Sequence, residues 1–177
     1  VQTLGMNGET YSSVDVPGEP VLNAEGYPAL PHVTRIYRIP NTGSIELHVN
    51  ANDYTESYDF YPIPGREEES PAWGEPVKAA EVYAVDAWYP PVVAEMSEPA
   101  IFRDFRVVTV TIYPVQVNPL TRQARFYSDI QVELVANDTP GHNELLNPRR
   151  PSGRWVPLYQ DLIANLDENA LDDADYR

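Results

Sequence analysis

The sequence predicts an all-β protein, an antiparallel β-sandwich with a short C-terminal helix and an acidic tail. Three observations support this fold class. Apolar and polar residues alternate over residues 45–51, 108–112 and 130–134, the pattern of half-buried strands. Eighteen prolines in 177 residues are too many for a helical protein and suit short strands joined by stiff turns. A helical period is clear at residues 155–166.

The first strands are predicted in the N-terminal third of the chain. A candidate strand at residues 10–16 lies in a region rich in Gly, Pro and Asn. The run 33–39 (VTRIYRI) predicts a strand that Pro40 ends. The alternation over residues 45–51 predicts the next strand, and residues 54–63 either continue it or pair with it.

An irregular segment follows at residues 64–80 (PGREEESPAWGEPVKAA). It contains three prolines, two glycines and three successive glutamates, so it predicts an exposed loop of unusual length. Loops of this length are frequently functional. Arg66 lies near its start, behind Pro64 and Gly65.

The stretch 88–134 predicts a long antiparallel hairpin. One arm carries Val108, Val110 and Ile112 on one face. The turn falls at residues 118–121, where Pro119 fixes φ at the second turn position. The other arm points inward through a second alternating set, made up of Ile130, Val132 and Leu134.

The C-terminal part divides into a linker, a helix and a tail. Residues 137–154 are polar, and residues 155–166 place Leu158, Leu162 and Leu166 at helical spacing, with Tyr159 and Ile163 beside them and Pro157 in the first turn. Residues 167–177 hold five acidic residues and an arginine. The predicted organisation is therefore a core at 1–136, a linker at 137–154, and a helix with a tail at 155–177.

Charge and cysteine content limit the function classes. A formal net charge of −15 opposes binding to nucleic acid or to anionic membranes. The absence of cysteine excludes a thiolate nucleophile, a thiolate zinc site and a disulfide framework. No apolar run approaches the length that would span a membrane. We therefore expect no nucleic-acid partner and no membrane insertion.

The sequence provides no motif for catalysis or for a metal. His32, His48 and His142 are scattered, without a nucleophile elbow or a histidine pair at metal-ligand spacing. The acids at 172, 173 and 175 lack the glycine turn and the final glutamate of a calcium loop, so a solvated tail is favoured. We expect a non-enzymatic chain with no catalytic residue, no metal and no cofactor.

Three groups of residues resemble one known family, the N-terminal prodomains of gingipain-type cysteine peptidases. The first is Gly26-Tyr27-Pro28-Ala29-Leu30-Pro31. The second is a central motif, Tyr89-Pro90, Ser97-Glu98-Pro99, Arg103-Asp104 and Val117-Asn118-Pro119 followed by Thr121. The third is the tail, an aromatic-bearing helix followed by an arginine.

The resemblance implies a fold and a function. Such prodomains are β-sandwiches similar to carbohydrate-binding modules. They accompany the peptidase through export, keep it latent and are removed by cleavage after an arginine. We therefore expect an inhibitor and intramolecular chaperone whose partner is the cognate cysteine peptidase catalytic domain. The expected location is outside a bacterium, secreted or on the cell surface, after export through the periplasm.

The arginines carry the site predictions. Arg66 is expected to occupy the specificity pocket of the peptidase, because acidic residues directly after it disfavour cleavage there. The alternative is a solvated arginine that neutralises the glutamates beside it. Arg177 is the predicted processing site, unless it is an arbitrary chain end. Arg149 and Arg150 form a second candidate cleavage site or a solvated basic pair.

The central motif is expected to build the fold without touching the partner. Its members are Tyr89, Pro90, Arg103, Asp104, Asn118 and Pro119. Arg103 is predicted to bind a carboxylate or loop carbonyls through its guanidinium.

A second function class stays open at this point. A carbohydrate-binding β-sandwich of a secreted protein would use aromatic side chains to stack on sugar rings. The candidates are Trp73, Trp88 and Tyr89.

Overall fold

A computed structural model describes residues 1–6, 8–66 and 77–166. The strands within this part are β1 Gln2–Met6, β2 Glu9–Ser13, β3 Val33–Arg38, β4 Ser44–Tyr58, β5 Ala94–Met96, β6 Ala100–Phe102, β7 Phe105–Ile112, β8 Val115–Asn118 and β9 Gln123–Asn137. The helices are α1 Ala80–Tyr83 and α2 Val156–Leu162, the second preceded by a 3₁₀ turn at Gly153–Trp155. The predicted fold class, all-β with a short C-terminal helix, is confirmed.

The strands form three sheets in the described part of the chain. β1 and β2 form a two-stranded antiparallel sheet. The second sheet has the order β3-β7-β5, with β6 also antiparallel to β7, and the third has the order β4-β9-β8. In the third sheet β8 and β9 are antiparallel neighbours.

The chain forms two compact units whose segments interleave along the sequence. The first unit takes its described residues from 1–33, 50–93 and 112–131, and the second takes them from 34–49, 94–111 and 132–166. The 15-residue strands β4 and β9 contribute to both. The division at residues 136 and 154 stays a prediction.

Each unit has its own apolar core. In the first unit Leu30, Phe60, Val115, Val117 and Ala124 pack together. All four residues of β8 are buried, as expected for a strand covered on both faces. In the second unit the core is Phe105, Val107, Tyr159 and Ile163, and the ring of Tyr159 meets that of Phe105 edge-on, with centroids 4.9 Å apart.

The turn of the predicted hairpin is present, but the two strands predicted to pair across it, β7 and β9, do not pair with each other. The turn lies at residues 119–122, and β9 alternates as expected, with residues 130, 132 and 134 less exposed than residues 129, 131 and 133. Across the turn, however, β9 pairs with β8, in the register Asn118↔Gln123. Pro114 has no N–H for a sheet ladder and separates β8 from β7, which pairs with β3, β5 and β6 instead.

The predicted C-terminal helix is present, but it ends at residue 162 instead of 166 and buries a different face. α2 begins with Pro157 in its first turn and ends at Leu162, before the extended Ile163. Tyr159 is 0% exposed and Ile163 1%, whereas Leu162 is 39% exposed. The rings of Phe102 and Phe105 both contact Tyr159 edge-on, so the helix buries Tyr159 instead of the predicted row of leucines.

Candidate functional site

The backbone of Arg66 is held from both sides by one asparagine. The Arg66 N–H donates to Asn23 Oδ1 at 3.0 Å, and Asn23 Nδ2 donates to the Arg66 carbonyl oxygen at 2.7 Å. The arginine side chain is half-buried. Residues 67–76, which follow it and include Trp73, lie outside the described residues. The position at which the chain enters this segment is therefore fixed by paired hydrogen bonds.

Gly65, directly before the arginine, packs against the segment 24–27. Its N–H donates to the Tyr27 carbonyl oxygen at 2.7 Å, and its own carbonyl accepts the N–H of Gly26 at 3.1 Å. A Cβ at position 65 would lie 2.4 Å from the carbonyl oxygen of Ala24. Any side chain here would force the backbone to shift, so the close approach favours glycine.

The same glycine, Gly26, also binds the far end of the segment. Its carbonyl oxygen accepts the N–H of Ala79 at 3.0 Å, and its φ of +80° favours glycine. A Cβ there would lie 3.1 Å from the Ala79 nitrogen. We call this arrangement the loop base: residues 23–27, 65–66 and 77–79. The first family motif therefore has a local role, because it closes both ends of the irregular segment.

The residues after the segment are anchored by polar contacts within the first unit. Lys78 forms an ion pair with Glu9, and its ammonium lies 5.3 Å from the ring centroid of Tyr11 and 5.1 Å from that of Tyr61. In α1, Glu81 accepts the Tyr27 hydroxyl at 2.7 Å. The chain is thus held by polar contacts both before and after residues 67–76.

Electrostatics agrees with this anchoring. The hydrogen bond from Lys78, and then that from Tyr11, holds the pKa of Glu9 below its usual value. Burial lowers the pKa of Lys78, but hydrogen bonds to Glu9, Tyr11 and Tyr61 outweigh burial and raise that pKa overall.

The central motif makes structural contacts in the first unit. Tyr89 and Val117 exchange both backbone hydrogen bonds at 2.8 Å, and the Tyr89–Pro90 peptide bond is cis. The carbonyl of Pro90 accepts Gln116 Nε2 at 2.8 Å. Asn118 donates through Nδ2 to Asp86 Oδ1 at 2.7 Å, and Pro119 next to it is fully buried.

Arg103 and Asp104 form the turn between β6 and β7 in the second unit. The guanidinium of Arg103, a residue with φ of +56°, lies 3.8 Å from the ring centroid of Trp155. Asp104 Oδ2 accepts the Tyr159 hydroxyl at 2.6 Å. Both residues therefore connect this turn to the C-terminal helix.

The arginine that binds loop carbonyls is Arg106 and not the predicted Arg103, whose guanidinium lies over Trp155. Arg106 is 0% exposed, and its guanidinium donates to the carbonyl oxygens of Pro40, Gly43 and His142 at 2.6–3.1 Å. The sequence does indicate that Arg106 is buried, because it lies two residues before Val108 and therefore on the same, inward face of the strand. An arginine at such a position must be fully hydrogen-bonded.

The chain after α2 attaches to β3. Ile163 forms a parallel bridge with Ile36, whose carbonyl accepts the N–H of Ala164 at 2.8 Å. Asn165 then mimics a strand residue with its side chain: Oδ1 accepts the Arg38 N–H at 2.8 Å, and Nδ2 donates to the Arg38 carbonyl at 2.9 Å. We call residues 155–166 the C-terminal anchor.

The predicted cleavage residues differ in what the structure describes. Arg149 and Arg150 are exposed, in a stretch without helix or strand that precedes the C-terminal anchor. Arg177 and the acids at 172, 173 and 175 lie outside the described residues.

The aromatic residues of the carbohydrate alternative are engaged where they are described. The guanidinium of Arg125 lies 4.0 Å from the ring centroid of Trp88. Tyr89 packs against the first core and has its ring 5.8 Å from that of Tyr27. A sugar would have to displace these contacts, so no observation favours this alternative.

The described ranges contain neither a cluster of metal-ligating side chains nor a helix that could span a membrane. Within residues 1–6, 8–66 and 77–166, no three side chains of the types that ligate metals converge on one point. In the same ranges, no helix has the length and apolar character to cross a bilayer.

Comparisons with known proteins agree with the sequence resemblance. The family model Propeptide_C25 matches residues 7–147. Gingipain R2 of Porphyromonas gingivalis is 28% identical over 127 residues, which are 70% of this chain and 17% of that protein. Gingipain R1 of the same species is 25% identical over 148 residues, 81% of this chain and 15% of that protein. The chain thus spans less than a fifth of these relatives.

Two solved structures share the fold. One is a complex of Porphyromonas gingivalis RgpB pro- and mature domains, with a TM-score of 0.77, 22% identity, and coverage of 93% of this chain and 85% of that chain. The other concerns zymogenic latency of gingipain K from that species, with a TM-score of 0.60, 20% identity, and coverage of 77% and 79%.

Proposed function

The chain belongs to the Propeptide_C25 family, and from this premise we propose that it keeps a gingipain-like cysteine peptidase latent by covering its active site. Family membership confirms the resemblance stated from the sequence and makes the chain the non-catalytic part of a peptidase precursor. The similar solved structures, one a pro- and mature-domain complex and the other a study of latency, support the proposal.

Arg66 is the proposed occupant of the specificity pocket. The observation that carries this assignment is the loop base, which holds the backbone on both sides of the arginine. The Gly65 N–H and the Arg66 N–H each have a backbone or side-chain acceptor, at 2.7 and 3.0 Å. A residue presented on a fixed backbone loses less conformational entropy on binding, so inhibition is stronger.

The charges near Arg66 fit an inhibitor that is not cut. An arginine guanidinium forms paired hydrogen bonds with a carboxylate, the group expected in a pocket selective for basic residues. The three glutamates that follow Arg66 in the sequence would disfavour cleavage of the next bond. Arg66 would then bind as a substrate does without becoming one.

Removal is proposed to occur by cleavage after Arg177, with Arg149 and Arg150 as a second cleavage site. The C-terminal anchor supports the choice of these two sites. It holds residues 155–166 within the second unit, and the exposed arginines at 149 and 150 lie just before it. We further propose that the chain assists folding of the peptidase, and that both reach the bacterial surface or the medium after export through the periplasm.

The test is the inhibition constant, Ki, of the chain for its cognate catalytic domain. Arg66→Ala should raise Ki at least about tenfold, the loss of one desolvated charge pair. Arg35→Ala, which removes an exposed arginine on β3, is the matched control and should leave Ki unchanged. An unchanged Ki for Arg66→Ala would overturn the pocket assignment. In the precursor, Arg177→Ala should block cleavage at that junction and leave only the proposed second site at Arg149 and Arg150.

A further inference from the structure

The only lysine of the chain, Lys78, occupies a site built from three other residues. Its ammonium is paired with the carboxylate of Glu9 and lies over the rings of Tyr11 and Tyr61. The lysine side chain is 27% exposed, which is low for a residue type that usually projects into solvent. We call Lys78 with Glu9, Tyr11 and Tyr61 the lysine box.

The lysine box is ordered by contacts that do not involve the lysine. The rings of Tyr11 and Tyr61 are stacked at 5.3 Å, and the Tyr11 hydroxyl donates to Glu9 Oε2 at 2.6 Å. The ring of Tyr83 meets Tyr61 edge-on at 5.7 Å. The box therefore offers a prearranged anionic and aromatic site, the combination that best binds an ammonium group.

The lysine box is connected to Arg66 through a single glycine. Ala79, next to Lys78, donates its N–H to the Gly26 carbonyl, and the Gly26 N–H donates to Gly65, next to Arg66. Two basic residues thus flank one hydrogen-bonded junction. The fold binds the side chain of one of them, Lys78, through Glu9, Tyr11 and Tyr61.

We infer that Lys78 is a positioning residue for Arg66: the lysine box holds the returning chain, and through Gly26 it fixes the backbone from which the arginine is presented. This inference rests on the proposed function of Arg66. It excludes Lys78 itself as the pocket occupant, because its ammonium is already bound. It also assigns a role to the β1–β2 hairpin, which supplies Glu9 and Tyr11.

The first experiment measures the reactivity of Lys78 in the lysine box and needs no peptidase. Because the chain has one lysine, limited acylation followed by mass spectrometry of the Lys78 peptide reports on one side chain, with the exposed Val1 amine as internal reference. Lys78 should react at least about tenfold more slowly in the folded chain than in urea, since only the uncharged amine reacts. Glu9→Gln should restore much of the rate, and the control Glu133→Gln should not. Equal rates in the folded and unfolded chain would overturn the box.

The second experiment tests whether Lys78 acts through Arg66. Lys78→Met should raise Ki about fivefold, and Lys78→Arg, which keeps the cation over the rings, should stay within about twofold. In an Arg66→Ala background, Lys78→Met should cause no further loss, because coupled residues are not additive. An equal loss in both backgrounds would show a merely structural role and overturn the inference.

The outcomes separate the inference from the proposed function. If Arg66→Ala raises Ki and Lys78→Met does not, the positioning role is wrong and the pocket assignment stands. If Arg66→Ala leaves Ki unchanged, the pocket assignment fails, and the positioning role, which depends on it, fails with it; slow acylation would then establish only that the box exists.

Discussion

The backbone N–H of Gly26 donates to the carbonyl oxygen of Gly65 at 3.1 Å, and this contact fixes the residue that precedes Arg66. The Gly26 carbonyl simultaneously accepts the N–H of Ala79. One residue of the first family motif therefore binds the chain on both sides of residues 67–76. The motif is explained by geometry, because a glycine with positive φ is needed where two other backbones come this close.

Gly65→Ala should damage the loop base. Its Cβ would lie 2.4 Å from the Ala24 carbonyl oxygen, so the backbone must shift, at a cost of about 1–3 kcal/mol of unfolding free energy. Urea unfolding gives this value, and Ki should rise with it. Gly5→Ala on β1 is the control, since its Cβ would meet nothing within 4 Å. Equal stability of the two variants would refute the close approach.

Arg106→Lys should destabilise the second unit strongly. A lysine cannot reproduce the fork that binds the carbonyls of Pro40, Gly43 and His142, and each carbonyl left unpaired is costly. We expect a loss of at least about 2 kcal/mol in unfolding free energy. Arg35→Lys on the exposed side of β3 should change it by less than about 0.5 kcal/mol. A similarly small loss of unfolding free energy for Arg106→Lys would contradict this role, because it would mean that water can replace the guanidinium as donor to the three carbonyls.

Cleavage between Arg149 and Arg150 should leave the two fragments associated; the bond after Arg150 precedes Pro151 and is a poor trypsin substrate. The C-terminal anchor is held by Tyr159 and Ile163, which are almost fully buried, and by the hydrogen bonds of Asn165. After limited trypsin treatment, gel filtration should show both fragments in one peak. Tyr159→Ala should release the smaller one, because it removes a buried aromatic ring at a cost of about 3–5 kcal/mol.

The prediction has one control variant and one contrary outcome. Arg149→Ala combined with Arg150→Ala should abolish the cut, which identifies the site. Separate elution of the fragments from the unmodified chain would contradict a stable anchor.

Stability should fall in acid partly through Glu144. Hydrogen bonds from the N–H groups of Gly141 and Gly43, at 3.0 and 2.9 Å, lower the pKa of its carboxyl below the ordinary 4.5. A depressed pKa stabilises the fold fully above 4.5, and this contribution is lost as pH falls through the folded-state value. Urea unfolding at pH 7 and pH 3 should therefore show a smaller acid loss for Glu144→Gln. Glu133→Gln should behave like the unmodified chain, and an identical acid loss for Glu144→Gln would contradict the assignment.

The sequence predicted features that depend on neighbouring residues. The turn at Asn118 and Pro119, the alternation of β9 and the start of α2 at Pro157 all follow from local conformational preferences. For residues 54–63 the sequence allows either a continuation of the preceding strand or its hairpin partner, and residues 54–58 continue β4.

Features that depend on distant residues were missed. Pairing of β9 with β8 instead of β7 follows from Pro114, which has no N–H to donate to the ladder. The buried face of α2 is selected by Phe102 and Phe105, more than fifty residues away. The loop base joins residues 26, 65 and 79 through backbone groups, which every sequence contains, so no pattern of side chains reveals it.

The central claim is that Arg66 occupies the specificity pocket of the peptidase, and competition with a small arginine-like ligand tests it most directly. Benzamidine, a planar cation that fits a pocket for arginine, would be titrated into the inhibition assay of the cognate catalytic domain. If Arg66 fills the pocket, the apparent Ki of the unmodified chain rises linearly with benzamidine concentration, as for simple competition, and that of Arg66→Ala does not. The same dependence on benzamidine for both chains, measured at concentrations that occupy the pocket, would contradict the claim.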